Sequence, residues 1–380
     1  MTLKRTTALA LVSALLAPVA QAEDFKPEVL SVEASIPEGP NALVIDFALN
    51  GSSNVFVLDA ETLKLKGNIG TGTAANMKMN AAGDTLYTAG IYMERYLRGT
   101  AHPILEEWDL KTLKLRREIE LPLGKLAQAE TQPTLMQLSP DEKLLLIQNA
   151  APAQSVSVIN LESGEAVAEI PSPGCWTINP ALEGQRFSML CGDGKIASVS
   201  YEADGSFSDF ARSETIFDPA ADPLIANPIR VGDKLVWVSY GGVLHFVDDS
   251  GETPVLAEKK SLLGDIEGWA PGGSEVIAYH KASNTAFVLM HSNPFDGSHK
   301  NPAEEIWMID MADVSLKGRF PAHGEGTISV SQDETPTLFG ANHGGSVTRY
   351  DVTLGETPDI AFAGERPGVG FFLTMISLDH

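Results

Sequence analysis

Asn54-Val55-Phe56-Val57-Leu58-Asp59-Ala60-Glu61-Thr62-Leu63-Lys64-Leu65 reads as a strand, a polar turn and the start of a second strand. Alternating apolar residues end in an acidic group able to bond the turn backbone, and a β-friendly run carries the chain back. The shape returns at Leu105–Lys114 and Ser155–Val167, and in edited form at Ile196–Gly205, Leu244–Thr253, Ile306–Leu316 and Ser346–Glu356. The copies start about 40 to 60 residues apart, the length of one four-stranded propeller blade. A second turn falls between them: Asn80-Ala81-Ala82-Gly83-Asp84, Ser139-Pro140-Asp141-Glu142 and Ser331-Gln332-Asp333-Glu334. Each blade thus has an inner hairpin around this turn and an outer one around the Asp turn. One blade cannot bury both faces of its sheet, so the ring must close. The expected fold is all-β, a seven-bladed propeller; a pair of β-sandwiches is the alternative.

Lys4 and Arg5 precede the apolar run Ala8–Ala20, and Ala20-Gln21-Ala22 supplies small residues for cleavage, the pattern of a secretory signal peptide over 1–22. The run is short for a membrane anchor, and no other stretch approaches spanning length. Residues 23–380 are then expected to form one exported, periplasmic propeller domain, with Glu23–Glu38 as an outer strand or arm and Gly368–Leu378 as the closing strand. The chain has 27 Lys plus Arg against 50 Asp plus Glu, and removing 1–22 takes away only basic groups. No basic stripe is left to displace counterions from phosphates, which argues against nucleic acid. An acidic surface suits solubility, a cationic substrate or a basic partner.

Cys175 and Cys191 are the only cysteines. Trp176–Asn179 and Arg186–Leu190 read as paired strands around the turn Pro180–Gln185, which places the two thiols opposite each other. In an oxidising compartment they form a disulfide worth on the order of 3 kcal/mol; two buried free thiols are the alternative.

Familiar catalytic motifs are missing: no Gly-rich phosphate loop, nucleophile elbow, Cys-x-x-Cys or His-Glu-x-x-His. The eight histidines have no ligand spacing, so neither a metal nor a catalytic residue is expected in this chain. Asp59, Asp109, Asp310 and Asp351 are read as recurring turn acceptors. Three connections break the blade rhythm: Tyr92–His102, with Arg95 and Arg98 the densest positive patch; Gly264–Gly273; and His291–Glu305. Such loops are where propeller partners dock, unless the arginines pair with neighbouring carboxylates.

Together these segments resemble the heavy subunit of the tryptophan tryptophylquinone amine dehydrogenases, more closely the aromatic amine (aralkylamine) enzyme and more distantly the methylamine enzyme. The resemblance rests on Glu94-Arg95-Tyr96-Leu97-Arg98-Gly99, Glu107-Trp108-Asp109, Glu118-Ile119-Glu120-Leu121-Pro122, Gly174-Cys175-Trp176 and Cys191-Gly192-Asp193-Gly194, then on Trp269-x-Pro271-Gly272-Gly273 and His299-Lys300-x-Pro302-Ala303-Glu304-Glu305-Ile306-Trp307. It implies a complex of two heavy and two cysteine-rich light subunits, with tryptophan tryptophylquinone in the light subunit and no cofactor here. The implied reaction is oxidative deamination of a primary amine to aldehyde and ammonia, with electrons passing to an azurin- or amicyanin-like blue-copper protein. Tyr92, Arg95, Arg98, Trp269, His299 and Lys300 become candidate interface residues. A family phenylalanine that reaches toward the light subunit matches Phe47, with Leu49 as the other candidate for the substrate channel; the alternative is that Phe47 is a core residue.

Two other classes compete: an exported propeller acting alone as a binding module or scaffold, and a lactonase-like hydrolase with a metal in its central channel. The second lacks convergent carboxylates and histidines.

Overall fold

The computed structural model describes residues 33–122, 124–125 and 131–380. The chain divides into two compact units, Met1–Ala34 and Ser35–His380. Of the first, only residues 33 and 34 are described, so the signal-peptide reading lies outside the described residues.

Seven separate antiparallel sheets make up Ser35–His380, in the order expected of a seven-bladed propeller and not of sandwiches. Each repeat copy is the third strand of its blade: Ser53–Asp59, Arg98–Asp109, Ser155–Asn160, Ile196–Ser200, Val243–Asp248, Glu305–Asp310 and Val347–Thr353. The strands are apolar nearly throughout because both faces are covered. Val55 and Val57 pack with Ala75, Met77 and Leu86 of blade 2. Leu58 and Phe56, on the opposite face, pack with Phe339 and Ala341 of blade 7. Period-2 alternation therefore sorts side chains between two neighbours instead of between core and water.

The outer turn follows from a local acceptor. Asp59 Oδ1 accepts hydrogen bonds from the Thr62 amide (2.8 Å) and hydroxyl (2.7 Å), and Asp109 Oδ1 does the same with Thr112 (2.8 and 2.9 Å). Four residues after the acceptor the backbone turns left-handed, at Leu63 (φ 57°), Leu113 (φ 53°), Gly164 (φ 74°) and Val314 (φ 61°). Only the third copy uses glycine, so the side-chain bonds hold the strained turns in the others. The Arg116 guanidinium, with help from Thr112, holds the Asp109 carboxyl down to about 2. Asp351 departs from the expected pattern. It lies within Val347–Thr353, and the turn of blade 7 falls after Thr353.

The ring closes where both ends of the unit meet. Leu373–Leu378 is the innermost strand of blade 1 and pairs with Asn41–Asp46. Asp46, itself buried, accepts the amides of Phe371 (3.0 Å) and Phe372 (2.7 Å), and Asp379 accepts the Asn41 amide (2.7 Å). The closing strand is thus shorter than Gly368–Leu378, since 368–372 is a link held by Asp46. In the described part of Glu23–Glu38 there is no strand; the Ile36 amide donates to the Lys111 carbonyl (2.9 Å).

Blade 4 contains the Cys175–Cys191 disulfide, between residues directly opposite in the hairpin Cys175–Pro180 and Arg186–Cys191. Between blades 4 and 5, Arg230 makes a two-pronged bond to Asp249 (2.7 and 2.9 Å) and also donates to the Pro180 carbonyl (3.0 Å). Arg186 donates to the Asp249 and Ser250 carbonyls.

Candidate functional site: one rim of the propeller

Because blade strands alternate in direction, the links between second and third strands and the links between blades share one rim. Every residue singled out for a channel or interface lies there. Phe47 and Leu49 are in the blade 1 link, Tyr92, Arg95 and Arg98 at the far end of blade 2, and Trp269, His299 and Lys300 at the same end of blade 6.

Tyr92–His102 is not a loop. Thr85–Arg95 and Arg98–Asp109 continue as paired strands, so blade 2 carries a hairpin overhang with Tyr96 and Leu97 at its tip. The Tyr92 hydroxyl anchors its base by donating to buried Glu106 (2.5 Å), which also accepts Thr71 (2.5 Å) and Thr88 (2.6 Å). Burial, and then that carboxylate, push the Tyr92 phenol well above its ordinary range. Glu106 escaped sequence reading because an acid inside an alternating run reads as a solvent-facing residue.

Arg95 and Arg98 are exposed and face each other across the tip, and neither forms an ion pair with a described residue. Like charges directly opposite disfavour the free hairpin. The arrangement suits a surface that brings the neutralising acids with it. Tyr96 is 77% exposed, and with Leu97 and Tyr92 it lines a cleft of about 170 Å³ against Gly51 and Ser52. The hairpin and the Phe47–Ser52 link are therefore one surface.

Phe47 is buried, 6% exposed, as the core alternative expects, whereas Leu49 is 57% exposed. Phe47 starts an aromatic row, its ring 6.4 Å from Phe372, which lies 4.4 Å from His343. His343, Phe372, His299 and Lys300 line a cavity of about 650 Å³ together with Gln132 and Ser274. These residues come from the links of several blades, which puts the cavity on the propeller axis. Phe371, next to Phe372, is 90% exposed. Sequence reading absorbed it into the closing strand; the signal for it was Gly368 and Gly370, which bracket a link. Of the thirteen large apolar residues exposed among those described, seven (Leu49, Tyr92, Tyr96, Leu97, Phe295, Phe371 and Phe372) belong to this rim. Around the two arginines stand exposed Tyr96 and Leu97 of the same hairpin, a composition of the kind found at docking surfaces.

Trp269 is only half-buried but is already engaged. The Arg319 guanidinium lies 4.4 Å from its ring and 4.9 Å from that of Trp307, and Arg319 is held by Glu305 (2.7 and 3.0 Å). His299 and Lys300 sit on the single turn Ser298–Lys300, with the His299 ring stacked on Tyr240 at 4.1 Å.

Glu275, beside the axial cavity wall, is 8% exposed and its Oε1 lacks a partner among the described residues. Burial raises its carboxyl well above the ordinary value, only partly offset by Thr327. A carboxyl raised in the folded state costs nothing below the unfolded value of 4.5, and stability is lost as pH rises through the interval above it. Glu275→Gln is therefore expected to stabilise the chain by about 1 kcal/mol or more at pH 8 and to change little at pH 4 in thermal unfolding. A lower Tm at pH 8 would mean the carboxylate makes a needed contact. Among the described residues, no group of three or more His, Cys, Asp or Glu is arranged to hold a metal ion, and no helix is long and apolar enough to cross a membrane.

The fold is a closed seven-bladed propeller with exposed apolar residues and two arginines without ion pairs on one rim. The model of the methylamine dehydrogenase heavy chain (MADH) family matches residues 43–369, and the chain belongs to that family, the heavy subunits of amine dehydrogenases. It is 30% identical over 303 residues to the methylamine dehydrogenase heavy chain of Methylorubrum extorquens, covering 77% of this chain and 72% of the relative. It is 27% identical over 332 residues to that of Methylobacillus flagellatus, covering 85% and 82%. Among solved structures, a candidate 6-phosphogluconolactonase from Bacteroides fragilis superposes with a TM-score of 0.60 at 10% identity, covering 92% of this chain and 99% of that one, a likeness of fold alone.

Proposed function

We propose that this chain is the heavy subunit of a periplasmic amine dehydrogenase, exported and cleaved after about Ala22, that scaffolds a separately encoded light subunit bearing tryptophan tryptophylquinone. Two heavy and two light subunits assemble, oxidise primary and preferably aromatic amines to aldehyde and ammonia, and pass electrons to a blue-copper protein. The observation that carries the reading is the rim on which unpaired Arg95 and Arg98 stand among exposed Tyr96, Leu97 and Leu49.

In this reading the quinone is carried by the light subunit and this chain's own tryptophans serve packing. Trp237 and Trp307 are buried in the sheets, Trp108 donates to Thr88 (2.9 Å), Trp176 lies beside the disulfide, and Trp269 is covered by Arg319. The quinone supplies the redox chemistry from the light subunit. What this chain supplies is position and dryness. Arg95 and Arg98 fix the partner's register, and Leu49, Phe371 and Phe372, backed by buried Phe47, present apolar surface that excludes water where the subunits meet. An aromatic face of that kind favours an aryl tail on the amine.

The test is co-expression with a short cysteine-rich chain from a neighbouring reading frame, followed by amine-dependent dye reduction. The complex is expected to turn over 2-phenylethylamine with kcat/KM about tenfold or more above methylamine, while the chain alone is inactive. Dye reduction by the chain alone, or failure to retain any such partner, would favour a self-contained scaffold; a preference for methylamine would overturn the aromatic assignment.

A further inference from the structure

The link between Asn41–Asp46 and Ser53–Asp59 in blade 1 is held at both ends and free in the middle. At one end the Phe47 amide donates to the Phe372 carbonyl (2.9 Å), and the Ala48 carbonyl accepts the Ala74 amide (2.7 Å) and the Thr73 hydroxyl (2.8 Å). At the other, the Ser52 hydroxyl donates to the Thr71 carbonyl (2.6 Å) and the Ser53 amide to the Gly72 carbonyl (3.2 Å). Between them Leu49, Asn50 and Gly51 make no hydrogen bond with a described residue, and Asn50 is exposed.

Asn50-Gly51 is the only Asn-Gly pair in the sequence. An asparagine amide is lost when the backbone nitrogen that follows it attacks its Cγ, so the next residue governs the rate. Proline, after Asn179, Asn227, Asn293 and Asn301, has no N–H to give up, and elsewhere a side chain crowds the approach. Glycine leaves the nitrogen open and lets the backbone reach the ring geometry. Around Gly51 there is room: apart from its chain neighbours, the nearest atom an added Cβ would meet is the Tyr96 hydroxyl oxygen, 3.6 Å away. Three unbonded residues between fixed ends supply the freedom the ring needs without loosening the blade.

We infer that Asn50 is a site of spontaneous deamidation in the free chain. The deprotonated Gly51 nitrogen bonds to Asn50 Cγ, the Cγ–Nδ2 bond breaks, and ammonia leaves a five-membered succinimide. Water then adds to either ring carbonyl. Opening at Cγ gives aspartate; opening at the backbone carbonyl gives isoaspartate, with the chain rerouted through the side chain. No electron is exchanged, and each product carries one new carboxylate. The charge appears on the rim, because Gly51 and Tyr96 line the same cleft and Tyr96 stands between Arg95 and Arg98 in the hairpin. The conversion belongs to the chain before assembly and needs neither the light subunit nor turnover.

Ageing the full chain at pH 8 in heavy-oxygen water, then sequencing its peptides by mass spectrometry, tests this. Heavy oxygen is expected to enter residue 50 before any other asparagine, with isoaspartate there detected by enzymatic methylation. Conversion should run within about tenfold of that in a synthetic peptide of residues 46–55, and about tenfold slower at pH 7, where fewer nitrogens have lost their proton. Gly51→Ala is expected to slow it about tenfold or more and Asn50→Gln to abolish it, both with wild-type Tm, because residue 51 has room and residue 50 is exposed. Conversion more than about tenfold slower than in the peptide, labelling of another asparagine first, or an unchanged rate in a natively folded Gly51→Ala variant would overturn the assignment. Those outcomes leave the subunit reading untouched, because that reading is measured by turnover of the assembled complex.

Discussion

Replacing Arg95 and Arg98 together by alanine is expected to weaken association with the light subunit about a hundredfold while leaving the heavy chain's Tm within about 2 °C of wild type. The two guanidiniums have no partner among the described residues, so truncating them removes nothing from the fold and relieves a like-charge pair at the hairpin tip. In the complex the same change strands whatever acids the partner brings, and that is where the cost falls. Titration of association at two salt concentrations checks it. The wild-type pair should lose affinity with salt more steeply than the variant. Unchanged assembly with a large drop in Tm would mean the arginines serve the blade instead.

Arg230→Ala is expected to give a comparably large effect, this time on stability. The Asp249 side chain is 3% exposed, and Arg230 is its salt-bridge partner, held by two hydrogen bonds. Removing it leaves a buried, unpaired carboxylate and severs the bond to the Pro180 carbonyl that ties blade 5 to blade 4. Arg186 does not compensate, since it bonds the Asp249 and Ser250 carbonyls and not the carboxylate. The expected cost is about 3–5 kcal/mol, a fall in Tm on the order of 5–10 °C. Pairing Arg230→Met with Asp249→Leu should recover much of the loss, because the uncompensated charge goes with it. A single variant costing under about 1 kcal/mol, or a double variant no better than the single, would show that burial at Asp249 is not what makes the pair matter.

How much of this was legible in the sequence depends on what each residue's neighbours are. The outer turn could be read because its acceptor, hydroxyl partner and left-handed residue lie within five positions, as at Asp59, Thr62 and Leu63. The disulfide could be read because its two cysteines are symmetric about a turn. The hairpin beyond Tyr92 could not. With water on both faces, Met93 to Ala101 shows no apolar alternation, and pairing across the strands extends it instead. Asp351 was misread because an acidic residue in an outward position of a strand looks like a turn acceptor until its cross-strand partners, Thr337 and Ala361, are known. The same limit hid the Asp46 bonds to Phe371 and Phe372, which join residues distant in the chain. On the rim, the sequence could nominate Arg95, Arg98, Trp269 and Lys300, but only the alternation of strand direction shows that they share an end.

The innermost strand of blade 1 comes from Leu373–Leu378, and this sets an order of events during synthesis. Until Leu373–Leu378 has emerged, a nascent chain holding every other blade is still an open spiral, with Asn41–Asp46 lacking its inner partner and two sheet faces uncovered. Closure waits on a contact between the two extremes of the unit, the slowest kind to find. A polypeptide stalled before Leu373 would expose that edge to pairing with another molecule's.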